Sequence, residues 1–438
     1  MRYYYQNVWV TDKGLKEGQV EIYNENFFKT LDDLELEWFV GGAAGGHHHQ
    51  NGNRPEGLSF GHGGKVDVNG IAPQTRKVIT IDAMKQIIER MLGHHGDQEL
   101  FVVFQFKTRE AQPLVDKGQV VARQQFVLKP YQFPTISDDS ASSGISKEET
   151  ESYVKYEASG TMLTIGKWSG WIDYLDFNGG ALLVDRQSVT PEFWRAPTDN
   201  DYGAWLQQRF GVWKRPEMKL KDCKVGDNHV VATFDMPSVN ATLTMSYTLQ
   251  ENGEVVVNEK YVPGPAKEGK EQVPPMFRYG MQLQMPKGYD YVEYYGRGPV
   301  ENYIDRNSSE FLGVYSNKVS DEYYSYVRPQ ESGNHTDVRW FRITDEKGRG
   351  MELYSDAPME VSALHFLTED LDDGPIKEKT WGHHSGDLVE RPLTQVHIQQ
   401  RQMGLGCVNS WGAWPRREYL VPNQERSFTF VIRPLTSE

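Results

Sequence analysis

The alternation of apolar and polar residues with a period of two constrains the fold of this chain more than any other feature. Every second residue from Ala241 to Leu249 is apolar, and threonine or serine occupies the positions between them. Successive side chains of a strand point to opposite faces, so the pattern predicts a strand with one buried face. The dipeptide Asn252-Gly253, typical of a hairpin turn, follows, and the alternation resumes at Val255.

Similar patterns predict strands along most of the chain. They cover the ranges 20–24, 34–40, 100–106, 120–128, 279–283 and 428–432. One helix is predicted from Asp82, as the N-cap residue, through Met91. Residues 153–438 contain no convincing long amphipathic helix, which favours one large antiparallel sandwich over alternating strands and helices. The first 130 or so residues, with short strands and turns, are typical of a smaller antiparallel sandwich.

Length and composition define the domain boundaries. The 438 residues suffice for two or three domains. Pro130 and Pro134 close the first segment, and the polar, small-residue stretch after them reads as a linker. We therefore expect a first domain at 1–134, a linker at 135–152 and a second domain at 153–438.

The composition also excludes several classes of protein. The net charge of −14 disfavours nucleic acid and anionic membranes as main partners. The two cysteines, Cys223 and Cys407, are too few for a disulfide framework or a thiolate metal site. The sequence shows no apolar run long enough to span a bilayer and no signal-peptide core near its start.

A glycine-rich tract at Gly41–Gly70 contains His47, His48, His49 and His62. Clustered histidines can bind a transition metal, but no orienting carboxylate lies nearby in the sequence. We therefore predict a long, mobile surface loop and no metal site.

The stretch Val189–Gly203 is the most unusual string in the chain. It places two aromatic residues beside Arg195, and Asp199, Asn200 and Asp201 follow a turn-forming Ala-Pro. Carboxylates and an amide next to aromatic rings suit the hydroxyl groups and C–H faces of a sugar. A tight turn whose Asp and Asn side chains bond their own backbone explains the string equally well.

Carboxylates and histidines recur in two further strings. Glu301 and Glu331 could perform acid–base chemistry on a sugar, with His335 or His365 as the acid of a mutarotase-like pair with Glu331. Buried hydrogen bonds that tie loops of a large β domain together are the alternative, which we favour because spacing alone reveals no tuned pair. The sequence leaves open whether these residues do more than structural work.

A fourth string, Gln402–Gly412, contains a tryptophan between small residues. Trp411 follows Asn409 and Ser410 on a loop with glycines on both sides, a setting that suits a ligand contact better than core packing. We therefore predict that Trp411, Asn409 and Ser410 contact a sugar.

Together, these strings resemble the post-barrel region of family 2 glycoside hydrolases of the large bacterial β-galactosidase type. Seven motifs occur along the chain in that family's order: SGWIDYLDFNGGALL, FWRAPTDNDYG, PPMFRYG, YGRGPVENYID, YVRPQESG, SALHF and MGLGCVNSWG. The resemblance covers essentially all of residues 153–438. The segment QVEIYNENFFKTLDDLELEWFV resembles the sandwich domain that precedes this region in the same enzymes.

The resemblance implies an all-β chain without catalytic residues of its own. The implied fold is an immunoglobulin-like β-sandwich followed by a large antiparallel supersandwich similar to galactose mutarotase. In this family the two catalytic glutamates lie in a TIM barrel that precedes this region, and the sequence shows no eightfold alternation of strands and helices. We therefore expect the C-terminal portion of a β-galactosidase, inactive in isolation.

The resemblance also implies roles for single residues. Trp411 matches a tryptophan that reaches the substrate site, and the segment from Gly203 resembles a loop that closes over bound sugar. In this interpretation Arg195, Asp199, Asn200 and Asp201 belong to the active-site loop, and the three Asp and Asn residues anchor its base. Cys407-Val408 departs from the Gly-Asp pair common in the family, which bears on substrate preference.

The expected partners follow from the same resemblance. They are a β-galactoside, bound by the full-length enzyme, and the enzyme's own catalytic barrel, with a homo-oligomer as the full assembly. No cofactor is expected in this chain, because the Mg and Na ions of the family would lie in the barrel. The compartment, bacterial cytoplasm or periplasm, stays open. The alternative function is a stand-alone carbohydrate-binding or aldose-mutarotase-like protein, and a purely structural role in subunit contacts is a third.

Overall fold

The computed structural model describes residues 2–43, 54–137, 144–266, 272–376, 384–406, 408–409 and 412–436. The chain divides into two compact units. The first comprises Met1–Gln132 with Phe311–Val314, and the second comprises Phe133–Glu310 with Tyr315–Glu438.

Two antiparallel sheets and one helix form the first unit. The elements are β1 Val8–Gly14, β2 Gln19–Asn24, β3 Leu34–Gly42, β4 Phe60–Val66, β5 Thr75–Thr80, α1 Asp82–His94, β6 Leu100–Thr108 and β7 Val120–Lys129. One sheet has the order β1-β2-β5 and the other β4-β3-β6-β7. Side chains of both sheets, such as Val20 and Val102, share one buried core, so the predicted small β-sandwich is confirmed.

Helix α1 lies where the periodicity predicts it, but its cap differs. Met84, Ile88 and Met91 are buried on one face. The N-cap residue is Ile81, which makes no side-chain cap hydrogen bond, and Asp82 is the first helical residue. The prediction of Asp82 as N-cap is therefore wrong by one residue. The carboxylate of Asp82 lies in the first turn of the helix, where its negative charge interacts favourably with the positive end of the helix dipole.

Part of the predicted glycine-rich loop is a strand. Strand β4 pairs with β3, and His62 lies opposite Val40 with its side chain exposed. A Cβ at Gly63 would lie 2.6 Å from the carbonyl oxygen of Trp38, so glycine permits the close approach of the two strands. The prediction of a continuous loop is wrong here, and His47, His48 and His49 lie outside the described residues.

Most regular elements in the described part of the second unit are strands. Its strands are β8 Ser146–Glu149, β9 Tyr153–Ala158, β10 Thr161–Gly166, β11 Ile172–Phe177, β12 Gly180–Ala181, β13 Thr190–Glu192, β14 Lys219–Val225, β15 His229–Met236, β16 Ala241–Leu249, β17 Val255–Pro263, β18 Arg278–Pro286, β19 Tyr291–Gly298, β20 Phe311–Lys318, β21 His335–Thr344, β22 Gly350–Leu364, β23 Leu393–Gln402 and β24 Arg426–Leu435. The first four residues of β20 belong to the first unit. Its short helices, those of the second unit, are α2 Asp199–Gly203, α3 Leu206–Arg209 and α4 Thr368–Leu371.

These strands form a large sheet and a small one. Within the described residues the large sheet has 12 strands, nine of them in the order β13-β18-β23-β22-β24-β17-β16-β15-β14, and β21, β19 and β20 extend from β22. The small sheet has the order β12-β11-β10-β9-β8. Apolar side chains from both sheets share one core, exemplified by Leu163 and Leu243. The predicted all-β class and the large antiparallel architecture are confirmed.

Two local features bear on the sequence predictions. The β16–β17 hairpin turns at Gly253, whose φ of 86° lies in the left-handed region that glycine adopts freely. Strand β8, at residues 146–149, pairs with β9 although the composition assigns it to a linker. Its short, charged sequence suits a sheet edge.

Candidate functional site

Four neighbouring strands of the large sheet carry two rows of mostly polar residues on one face. In the first row Thr190 pairs with Gln282, Gln282 with His397, and His397 with Ser362. The second row lies two residues along each strand and consists of Glu192, Gly280, Gln399 and Glu360. We call these two rows the polar face.

Arg278 connects the polar face to a loop above it. Its guanidinium donates to Glu192 at 3.3 Å and to Glu331 at 2.5 Å, and all three side chains are buried. His397 Nδ1 lies 2.5 Å from Glu192 Oε2, and Gln402 donates to the other oxygen of Glu331 at 3.0 Å. Buried charges require such partners, so this cluster fastens the loop to the sheet.

The cluster separates the pKa values of its carboxyl groups. Burial raises the pKa of Glu331 above its ordinary value, although Arg278 and His397 oppose the shift. For Glu192, the penalty of burial is outweighed by the charges of His397 and Arg278, which hold the pKa below its ordinary value. Burial raises the pKa of Glu360 to about 7, although the backbone N–H of Gln402 opposes the shift.

Separated pKa values are typical of acid–base sites, but the space at Glu331 is too small for a sugar. The cavity that Glu331, Ser362 and His397 line has a volume of about 10 Å³. That volume holds roughly one water molecule. The arrangement therefore serves to join the loop to the sheet.

The histidines proposed as partners of Glu331 lie elsewhere. His335 Nε2 is 2.5 Å from Glu322, and its Nδ1 faces the carbonyl oxygen of Arg297. His365 lies between Asp290 and the backbone of Leu393. Neither histidine pairs with Glu331, because each is held by a carboxylate of its own. The sequence allows this acid–base pairing but favours a structural role, and neither form of the pairing is found.

Glu301 ties a second pair of loops together. Its carboxylate accepts hydrogen bonds from Arg306 at 2.6 Å and from the backbone N–H of Gly333 at 2.7 Å, and also from the hydroxyl of Tyr326. The carboxylate is buried, and the partners named here are other residues of this chain. This is the loop-tying role that the sequence analysis favours.

The string at Val189–Gly203 is held together by a buried ion pair. Arg195 donates to both carboxylate oxygens of Asp201, at 3.1 and 2.8 Å, and the two side chains are 0% and 1% exposed. Asp201 also accepts from the backbone N–H of Thr198 at 2.9 Å, and Thr198 caps α2 in return. Both arms of this capping box stabilise the first turn of a very short helix.

Three motifs that are distant in sequence meet at residues 403–406. Arg195 donates to the carbonyl oxygens of Met403 and Gly404, at 2.5 and 3.1 Å. Asp305 accepts from the backbone N–H groups of Leu405 and Gly406, at 3.0 and 2.9 Å. The contacts therefore satisfy two backbone carbonyl groups and two backbone N–H groups of this segment, which holds residues 403–406 in place. This segment precedes Trp411 in the sequence, and we call it the base of the loop.

Among the remaining predicted site residues that the structure describes, Asn200 contacts this base directly. Asn200 donates to the carbonyl oxygen of Leu405 at 3.2 Å, whereas the half-exposed Asp199 pairs with Arg328 at 3.3 Å. Gly203 ends α2. Asn409 accepts from the backbone N–H of Ala413 at 3.3 Å. Ser410 and Trp411, like Cys407, lie outside the described residues.

Sequence reasoning missed His397, Arg278 and Glu192. In β23, Gln395, His397 and Gln399 alternate with apolar residues, a pattern that normally indicates a solvent-exposed polar face. The structure buries that face under loops. The available signal was a run of amide and imidazole side chains on a strand with few charges.

Neither a metal centre nor a membrane segment is found in the part of the chain that the structure describes. No three histidine, cysteine, aspartate or glutamate side chains of the described residues converge to hold a metal ion. Among the described helices, none is long and apolar enough to cross a bilayer.

Comparison with protein families gives two matches. Residues 157–432 match the family described as beta galactosidase small chain, and residues 20–129 match beta-galactosidase, domain 4. A beta-galactosidase of Priestia megaterium is 26% identical over 438 residues, with 98% of this chain and 39% of the relative covered. One of Lactobacillus delbrueckii subsp. bulgaricus is 30% identical, with 75% of this chain and 31% of the relative covered. The chain thus spans two fifths or less of the length of these relatives.

Comparison with solved structures gives matches that share little sequence with this chain. A putative aldose 1-epimerase from Escherichia coli K12 is 9% identical with a TM-score of 0.37, covering 66% of this chain and 99% of that one. A galactose mutarotase related enzyme from Lactobacillus acidophilus is 8% identical with a TM-score of 0.37, covering 67% and 98%.

Proposed function

The chain belongs to the beta galactosidase small chain family, and from this premise we propose that it is the C-terminal portion of a retaining β-galactosidase of glycoside hydrolase family 2. The order of the two family matches supports the proposal, because the domain 4 match precedes the small-chain match. Its relatives named beta-galactosidase extend well beyond the length that this chain covers. The substrate class that we propose for the whole enzyme is terminal β-D-galactosides.

The main support for the proposal is the set of side-chain hydrogen bonds that holds the backbone of residues 403–406. Arg195 and Asp305 reach this segment from two other motifs and bind four consecutive residues of its backbone. Such anchoring holds residues 403–406 in place, and a rigid base suits a loop that must present a side chain to a ligand. We propose that Trp411 supplies that side chain, with Asn409 and Ser410 beside it.

Catalysis itself is assigned to a barrel outside this chain. Retaining hydrolysis requires two carboxyl groups about 5 Å apart on either side of the glycosidic bond. Glu331 and Glu192 instead share the guanidinium of Arg278. The cavity beside Glu331 is far smaller than a sugar ring. We therefore propose that the isolated chain does not hydrolyse glycosides.

Metal ions and assembly belong to the same proposal. The acidic and histidine side chains among the described residues do not converge as a ligand set, so they do not fit a resident ion. We propose that any Mg or Na ion is held by the barrel, and that the complete enzyme is a homo-oligomer.

The first experiment reconstitutes the enzyme. This chain is co-expressed with the N-terminal portion of the Priestia megaterium relative, and hydrolysis of a chromogenic β-galactoside is measured for each part alone and for the two together. Activity is expected only for the combination. Hydrolysis by the purified chain alone, or anomer interconversion of galactose by it, would favour the stand-alone alternative.

The second experiment separates a substrate role of Trp411 from a structural one. In the reconstituted enzyme, Trp411→Ala is expected to raise KM, because the apolar face of the sugar loses its aromatic partner. Trp168→Ala, at a tryptophan that is 80% exposed, is the matched control and should leave KM unchanged. Identical kinetics of both variants would remove Trp411 from the substrate site.

A further inference from the structure

A pocket of about 340 Å³ opens at the β13 edge of the polar face. Its floor includes Thr190, Glu192 and Gln282, and Thr368 of α4 lies beside them. Its apolar wall includes the partly exposed Pro216 and Met218, and the core residues Trp194 and Trp213, which are 4% and 0% exposed, support this wall. This volume lies within the range of small-molecule sites, near its lower end. We propose that this pocket binds the pyranose ring of a neutral sugar.

The floor provides hydrogen-bonding groups that are held in place. Gln282 accepts a hydrogen bond from Gln395 at 2.6 Å through Oε1, which orients its amide. The Gln282 side chain is partly exposed at the pocket, and the bond to Gln395 uses Oε1, which leaves Nε2 to donate to a ligand. Thr190 and Thr368 each add a hydroxyl that can donate or accept.

The apolar wall is fixed before any ligand binds. The indole N–H of Trp194 donates to Asp372 at 2.8 Å, and that of Trp213 donates to the carbonyl oxygen of Pro274 at 2.9 Å. Lys214 adds a 2.6 Å ion pair to Asp372. A wall that does not have to be ordered on binding reduces the entropic cost of association.

The charges at the pocket favour a neutral ligand. Lys214 and Arg215 are offset by Glu192, Glu369 and Asp372, so the lining has no cationic excess for a phosphate or sulfate. Glu192 and Asp372 already have cationic partners, which leaves no carboxylate cage for a metal cation. Sugar hydroxyls both donate and accept, and their C–H faces are apolar, so a pyranose matches this mixture.

Two lining residues allow the pocket to be tested without disturbing the fold. The side chains of Arg215 and Glu369 are exposed, and neither makes a hydrogen bond or ion pair with another described residue. Arg186 and Glu346 are exposed residues of the same types that do not line the pocket, and they serve as controls.

The experiment measures binding of sugars to the purified chain by calorimetry and by quenching of tryptophan fluorescence. Galactose, glucose and methyl β-galactoside are titrated, with inorganic phosphate and glycerol as counter-ligands. The comparison of free galactose with its methyl glycoside distinguishes a free monosaccharide from the end of a glycan. Binding does not depend on hydrolysis, so this result is independent of the proposed function.

We expect saturable binding of at least one sugar, with no binding of phosphate. Arg215→Ala and Glu369→Ala should each weaken it about 3- to 10-fold, as the loss of one hydrogen bond does. Arg186→Ala and Glu346→Ala should leave it unchanged. The proposal is overturned if no sugar binds saturably, if phosphate binds in preference, or if the pocket variants bind as tightly as the controls.

Discussion

Arg195 and Asp201, six residues apart in one motif, form a fully buried ion pair that also holds a segment more than 200 residues away. The guanidinium donates twice to the carboxylate and twice to the carbonyl oxygens of Met403 and Gly404. Burial removes water from both charges, so each charge needs the other as its partner. Because the same guanidinium also holds Met403 and Gly404, loss of the ion pair should weaken those backbone contacts as well. The first prediction tests that dependence.

Replacing Asp201 with asparagine should strongly destabilise the second unit. Asp201→Asn leaves the buried guanidinium of Arg195 without its nearest countercharge, and the expected loss is about 3 kcal/mol of unfolding free energy. Denaturant unfolding of the purified chain measures it. Asp199→Asn is the matched control in the same motif, because the carboxylate of Asp199 is half-exposed, and it should cost less than about 1 kcal/mol. Equal losses for the two variants would contradict the buried-pair interpretation.

Glu360 should make the stability of the chain depend on pH. Burial raises its pKa from 4.5 to about 7, so the folded state holds the proton more tightly than the unfolded state does. The stabilisation is fully present below pH 4.5 and is lost as the pH rises through about 7. The expected loss is about 3 kcal/mol.

The measurement compares wild type with Glu360→Gln, whose amide does not titrate. The difference in unfolding free energy between the two proteins should change between about pH 5 and about pH 8, in the direction that disfavours wild type at the higher pH. A difference that stays constant over this interval would show that Glu360 titrates normally.

Glu259 is a second buried carboxyl group, without the compensating contacts of Glu360. It is 0% exposed on β17, and within the described residues neither of its oxygens has a hydrogen-bond partner. Burial raises its pKa well above the ordinary value, so the folded state holds the proton more tightly than the unfolded state does. Its contribution to stability therefore falls as the pH rises above the pKa of the unfolded chain.

The variant Glu259→Leu should stabilise the chain, by about 1–3 kcal/mol near neutral pH, because an unpartnered polar group leaves the core. The gain should increase with pH. Glu425→Leu, at an exposed glutamate, is the control and should have little effect at any pH. A destabilised Glu259→Leu protein would mean that the carboxyl group has a partner in solution.

Gly280 should tolerate no side chain. A Cβ at this position would lie 2.2 Å from the carbonyl oxygen of Ile398 and 2.5 Å from the Cα of Gln399, both backbone atoms of β23. Gly280→Ala is expected to cost about 3 kcal/mol, because the strands must move apart. Gly288→Ala, with no atom within 4 Å of its Cβ, should change stability by less than about 1 kcal/mol. Thermal unfolding of both variants is the measurement.

The local elements of this fold could be predicted because their signals are local. The alternation from Ala241 to Leu249 determines a strand through side-chain geometry alone, and Asn252-Gly253 determines its turn. The spacing of its apolar residues predicts helix α1, although it does not identify Ile81 as the N-cap residue. The small sandwich and the large antiparallel sheet were predictable from the same strand patterns, whereas the order of the motifs indicated only the family resemblance.

The partners of the polar residues could not be predicted, because they come from distant parts of the chain. Strand β23 was not predicted from the sequence, and its alternation by itself would place His397 on a solvent-exposed face, whereas the structure buries that side chain. Glu331 pairs with Arg278 rather than with His335, four residues away, because the fold brings a buried guanidinium to it. The sequence by itself determined strands and turns, whose hydrogen bonds and side-chain directions repeat over a few residues. The tertiary structure alone decided which charges meet, since burial makes each charge require a partner and only the packing of the chain supplies one.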